Sequence, residues 1–148
     1  MDIVYRRAFL TPQNVQNLDI FLIKGSDTST GTTIFGNPFN LSNDPQESNN
    51  PRIDTSGSNV VVQWEDRDPT ALVPHWDVVT VGSTDGGATF GSRTSATSNS
   101  FPTSDSILND VAMSGNNIYS TWTVGFCRKH HQYYKISQSM HIVGYASE

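Results

Sequence analysis

Short apolar runs alternate with polar clusters along the chain, and most runs show the period-two pattern of half-buried strands. Residues 2–9 read as a strand, with Ile3 and Tyr5 on one face and Val4 and Arg6 on the other. A polar link, Leu10 to Leu18, leads to an apolar strand from Asp19 to Lys24. Thr33 to Leu41 reads as its return, interrupted by Pro38 and so expected at a sheet edge. Ser42 to Asn50 is a loop rich in Asn and Asp. Arg52 to Thr55, the turn Ser56-Gly57-Ser58-Asn59, and Val60 to Trp64 predict a hairpin. Val111 to Met113, Ser114-Gly115-Asn116-Asn117, and Ile118 to Trp122 predict a second hairpin of the same form. Asp77 to Val81 is a strand between them. Tyr133 to Ile136 and His141 to Tyr145 have strand character but lie beyond the regular pattern.

These elements repeat. Asp19 and Asp77, Asp27 and Asp85, Ser56-Gly57 and Ser114-Gly115, Asn59 and Asn117, and Trp64 and Trp122 all stand 58 residues apart (from position 19 to 77, from 64 to 122). The first copy carries three extra residues in one turn. A fixed period with its slack confined to turns is the mark of a repeat architecture. Residues 2–9 take the place before Asp19 that Val61 to Trp64 take before Asp77.

Within the second copy, Ser83-Thr84-Asp85-Gly86-Gly87-Ala88-Thr89-Phe90 follows a strand and precedes a polar run. Asp with two glycines supplies positive φ and a side-chain oxygen that can bond the turn's own N–H groups. Ser83 and Thr89 can add hydroxyl bonds across the loop, and Phe90 can fold back beneath it. The pattern Ser83, Asp85, Gly87, Thr89, Phe90 resembles the Asp-box, or BNR repeat, of sialidase-like β-propellers, with Phe where that family more often has Trp. Asp27, Gly31, Thr33 and Phe35 form a degenerate copy. The resemblance implies an all-β fold of four-stranded antiparallel blades, here a partial propeller of about two to three blades. It covers one repeat region over 1–148, with repeats at about 10–66 and 67–124 and partial or degenerate blades at 1–9 and 125–148. It also implies that the boxes are structural. Val60, Val62 and Trp64 share one strand face and Ile118, Ser120 and Trp122 the matching one, so the two tryptophans are expected to pack between blades.

Composition narrows the function. Charged residues are 16% and hydrophobic residues 35%, which suits strands joined by polar turns rather than a helical bundle. The net charge of −5 disfavours a nucleic-acid surface. No apolar run reaches the length of a membrane span, and Met1 to Arg7 lacks a signal peptide's apolar core. The single Cys127 forms no internal disulfide. Secretion or cell-surface display is implied by the resemblance alone.

Candidate chemistry is sparse. Glu65-Asp66-Arg67-Asp68 could offer oxygens to calcium, but the spacing is not that of a calcium loop and Arg67 competes, so a solvated link is expected. Cys127, His130, His131 and His141 are zinc-ligand types at a spacing that fits no common zinc module. Asn40-Leu41-Ser42 is a glycosylation sequon. No Gly-x-Ser-x-Gly, Walker loop or His-Glu-x-x-His is present. The sialidase resemblance would call for an arginine cluster and a Tyr–Glu pair. Arg52-Ile53-Asp54 is the nearest approach to that family's Arg-Ile-Pro, without the Pro, and its counterpart in the next repeat is Asp110. The expectation is therefore a non-catalytic scaffold or a glycan- or protein-binding module, with no cofactor or metal, no nucleic-acid partner and no membrane span. Its partners would be a glycan or protein ligand and either further copies of the chain or the rest of a longer propeller. The alternative is a piece of a sialidase-type glycoside hydrolase whose catalytic residues lie on other blades.

Overall fold

The computed structural model describes residues 1–10, 16–68, 74–97, 104–126 and 136–143. Eleven strands and no helix form among them: β1 (Asp2–Leu10), β2 (Gln16–Asp27), β3 (Thr33–Phe35), β4 (Phe39–Asn40), β5 (Ser48–Ser56), β6 (Asn59–Asp68), β7 (His75–Ser83), β8 (Thr94–Ser95), β9 (Ser104–Ser114), β10 (Asn117–Phe126) and β11 (Ile136–Val143). All pairings are antiparallel. Sheet 1 is β1-β2-β3, with β4 also on β2; sheet 2 is β5-β6-β7-β8; sheet 3 is β9-β10-β11. Near the C-terminus, Ile136–Val143 form β11, while 133–135 and 144–145 of the two expected strands lie outside the described residues.

The long strands form where alternation was strong, and their ends are set by turn chemistry. Ser56 pairs with Asn59 and Ser114 with Asn117, so each hairpin has a two-residue loop. Gly57 (φ 63°) and Gly115 (φ 58°) take the first loop position, where a positive φ lets the turn follow the strand twist. The return after β2 breaks into β3 and β4 around Pro38, which cannot donate to a ladder. In β5 the register to β6 slips between Asn49 and Arg52, around Pro51, with Asn50 at φ 46°.

The sequence period does not coincide with a sheet. The first repeat supplies β2, β3 and β4 of sheet 1 together with β5 and β6 of sheet 2, and the second supplies β7 and β8 of sheet 2 together with β9 and β10 of sheet 3. β1 pairs with β2 as β6 pairs with β7: Ile3–Ile23 and Tyr5–Phe21 stand where Val62–Val81 and Trp64–Val79 stand one repeat later.

Sheet 2 is packed on both faces. Val60, Val62, Trp64, Val79 and Val81 meet Ile20 of sheet 1, with Val4, Leu41, Ile53 and Phe90 at the margin. On the other face Val61 packs with Val111 and Ile118, and Val78 and Ala96 pack with Trp122 and Val124 of sheet 3. Trp64 and Trp122 each face the preceding sheet, buried between strands rather than displayed as a platform. Both indole N–H groups lie outside hydrogen-bonding geometry, although Trp64 is close enough to the Asp66 carboxylate to favour its ionised form.

One expectation fails. Glu65 and Asp66 are not in a solvated link; they continue β6 and are only 3% and 4% exposed. Polar partners make that burial tolerable. Asn50 Nδ2 donates to Glu65 at 2.7 Å, Ser48 Oγ donates to Asp66 at 2.9 Å, and Arg93 bridges Asp66 (2.9 Å) and Asp44.

Candidate functional site

Strand β7 delivers Ser83 to the start of a turn in which every expected box residue finds a partner. Asp85 is the acceptor at its centre. The Ala88 and Thr89 N–H groups each donate to Oδ1 at 2.9 Å, Ser83 Oγ donates to Oδ1 at 2.7 Å, and Thr89 Oγ1 donates to Oδ2 at 2.6 Å. Ser83 Oγ in turn accepts from the Gly87 N–H at 2.8 Å and the Asp85 N–H at 3.3 Å. Gly86 and Gly87 hold φ of 69° and 76°, conformations that a side chain disfavours. The Thr89 hydroxyl and N–H, with Ser83 and Ala88, hold the Asp85 carboxyl well below the usual carboxylate range. Phe90 leaves the turn half-buried, packs on the core between sheets 1 and 2, and stacks on Phe39 with ring centroids 6.5 Å apart.

The turn is also tied to its surroundings. The Gly86 N–H donates to the Ser58 carbonyl at 2.7 Å, and Lys24 of β2 reaches over from sheet 1 to the Gly86 carbonyl. Neither link has a local sequence signal, because the partners lie 28 and 62 residues away.

The degenerate copy keeps part of this chemistry. Thr33 Oγ1 donates to Asp27 Oδ1 at 2.6 Å, as Thr89 does to Asp85. The inserted residues shift the N–H capping to Thr28, whose Oγ1 accepts from the Thr32 N–H at 3.1 Å, and Gly31 takes φ of 78°. Gly36 bonds back to Lys24 as Gly91 bonds back to Gly82, so Phe35 occupies the place of Phe90.

A second repeated clasp, which turn reasoning missed, holds β2 and β7 on the side away from these turns. Ser42 Oγ accepts the Ile20 N–H at 3.1 Å, and Thr97 Oγ1 accepts the Val78 N–H at 2.9 Å. The paired Asp residues sit beside these hydroxyls. Asp77 accepts from Thr97 Oγ1 at 2.7 Å and lies 3.5 Å from His75 Nε2; Asp19 accepts from Asn40 at 2.6 Å and from Asn17 at 3.2 Å. The 58-residue spacing of the aspartates was the available signal. Asn40, the sequon residue, is engaged here, since its Oδ1 also accepts the Asn43 N–H at 3.0 Å. Burial raises the Asp19 carboxyl, against the hydrogen bonds from Asn40 and Ser42. Burial, with Asp44 nearby, pushes Asp66 up to about 6, against Ser48 and Arg93.

A cavity of about 540 Å³ opens beside the Asp85 turn, lined by residues of sheets 2 and 3. Val60, Phe90 and Ile118 give it an apolar floor, and Asn59, Thr84 and Asn116 a polar rim. Asn59 Nδ2 fixes one side by donating to the Gly115 carbonyl (3.1 Å) and Asn116 Oδ1 (2.9 Å). Such a lining can take a ligand with both polar and apolar faces.

The other candidates do not converge. Arg52 lies 3.9 Å from Asp110, its repeat counterpart. Arg6 donates to Asn49, Arg67 faces Glu47, Arg93 serves Asp44 and Asp66, and Arg7 lies over the Phe21 ring. Among the described residues no group of three His, Cys, Asp or Glu side chains is placed to hold a metal ion, and no helix is long and apolar enough to cross a membrane. Cys127, His130 and His131 lie outside the described residues, as does the side chain of His141. No protein-family model matches the chain, and no curated protein matches it.

Proposed function

We propose that the chain is part of a sialidase-like Asp-box β-propeller, with its three sheets as successive blades, and that it acts as a non-catalytic scaffold or a module binding a glycan or protein. The observation that carries this reading is the Asp85 carboxylate, every contact of which belongs to the turn after a third strand. An acid committed to four donors, with its protonation disfavoured, suits a structural acceptor and not a proton donor. The recurrence of the second clasp, on N–H groups 58 residues apart (from position 20 to 78), supports blades as the repeating unit. The arginines support the non-catalytic part, since each of the five described ones is directed at a different partner instead of at a shared carboxylate site. The cavity beside the turn is where a ligand would sit.

The purified chain should release no fluorophore from a fluorogenic sialoside, and Asp85→Ala should lower its unfolding temperature. Turnover that Asp85→Ala abolishes without changing that temperature would overturn this reading, because it would make the Asp85 turn a catalytic site rather than a structural one.

A further inference from the structure

Sheet 1 presents on its outer side the same positions that sheet 2 buries. The pairs Val62–Val81 and Trp64–Val79, with Phe90, form the face of sheet 2 that sheet 1 covers. One repeat earlier the pairs are Ile3–Ile23 and Tyr5–Phe21, with Phe35. Val62 and Trp64 are 0% exposed, whereas Ile3 is 41% and Phe35 45% exposed. Tyr5 and Phe21 stack at 5.9 Å, with Arg7 over the Phe21 ring, and both are half-buried. Five apolar side chains on one sheet face exceed the scattered apolar residues of an ordinary surface. On the matching outer side of sheet 3 the described side chains are those of β10. Tyr119, at the place of the buried Val61, is 43% exposed on the side of β10 facing away from sheet 2. Thr121 lies exposed on the same side, in the place of Gln63.

We infer that the outer face of sheet 1 is a docking surface for the outer face of sheet 3 of a second copy of this chain. The inference rests on the reading of the sheets as successive blades. The contact continues the relation that sheet 1 has to sheet 2, and sheet 2 to sheet 3, and so is head-to-tail rather than symmetric. Such a contact gives a ring if the rotation closes and a filament if it does not.

Light scattering on the purified chain tests it, with far-UV circular dichroism to check strand content. The wild type should show a multiple of the chain mass. Ile3→Glu and Tyr119→Lys, on the two opposite faces, should each return it to the mass of one chain with the strand spectrum kept. Mixing the two variants should restore a dimer, because each retains the face that the other has lost. A folded wild type at the mass of one chain overturns the inference. So does a Tyr119→Lys variant that keeps the wild-type mass, which would mean symmetric pairing through sheet 1 alone. If Ile3→Glu loses its strand spectrum, Phe35→Lys replaces it on the same face with the same expected outcome. A monomer in which Asp85→Ala still lowers the unfolding temperature refutes the contact and leaves the blade reading standing. A monomer in which Asp85→Ala changes nothing refutes both.

Discussion

Gln63 is the polar centre of the interface between sheets 2 and 3, and replacing it with Leu isolates what that centre contributes. The side chain is fully buried. Its Oε1 accepts from Ser120 Oγ at 2.6 Å and from Thr80 Oγ1 at 3.5 Å, and its Nε2 donates to Asn109 Oδ1 at 3.4 Å. The two long contacts are near the limit of a hydrogen bond and contribute little. The Ser120 bond is short, and Ser120 is itself buried, so its hydroxyl would lose its acceptor with no water at hand. Leu nearly conserves volume, so cavity formation adds little. The expected loss is therefore that of one buried unsatisfied donor, about 1–3 kcal/mol. Adding Ser120→Ala removes the orphan, and the double variant should recover about 1 kcal/mol of coupling. Urea unfolding followed by tryptophan fluorescence reads both, since Trp64 and Trp122 are buried at the two inter-sheet contacts. A Gln63→Leu variant within about 0.5 kcal/mol of wild type, a range typical of surface changes, would mean that sheets 2 and 3 do not meet across this residue.

Two further outcomes concern pH. Asp66, held at about 6 in the folded chain against 3.8 unfolded, binds its proton more tightly when folded, so its contribution falls as pH rises from about 4 to about 6 and is level above that. The drop is on the order of 3 kcal/mol; Asp66→Asn should flatten that limb, and an unchanged slope would refute the assignment. Asp85 has the opposite sign: its carboxyl is depressed, so its contribution is present above about 4 and is lost as pH falls further. Thermal unfolding across the acid range should show a shallower loss in Asp85→Ala than in wild type, and equal acid limbs would show that the carboxylate does not hold the turn.

Much of the local structure was legible in the sequence because its causes are local. Alternation at Val60–Trp64 and Ile118–Trp122 fixes strands, and Gly57 and Gly115 fix the hairpins between them. The Asp85 turn could be read in the same way, because donors and acceptor lie within eight residues. The candidate site was half legible: the hydrogen bonds within the turn were, but its ties to Lys24 and Ser58 were not.

What only the tertiary structure decided depends on partners far apart in the chain. Glu65 and Asp66 look like solvent-facing charges in sequence, yet Asn50, Ser48 and Arg93 make their burial affordable. The pairs Asp19 and Asp77 were visible as a spacing, but their role appeared only when Ser42 and Thr97 closed over the same strand ends. By itself the sequence determined strands, turns and a 58-residue period, since φ preferences and side-chain alternation act between near neighbours. Which face of each sheet is covered, and which carboxylates leave water, follows from how the sheets stack, because desolvation is a property of everything that comes to surround a residue.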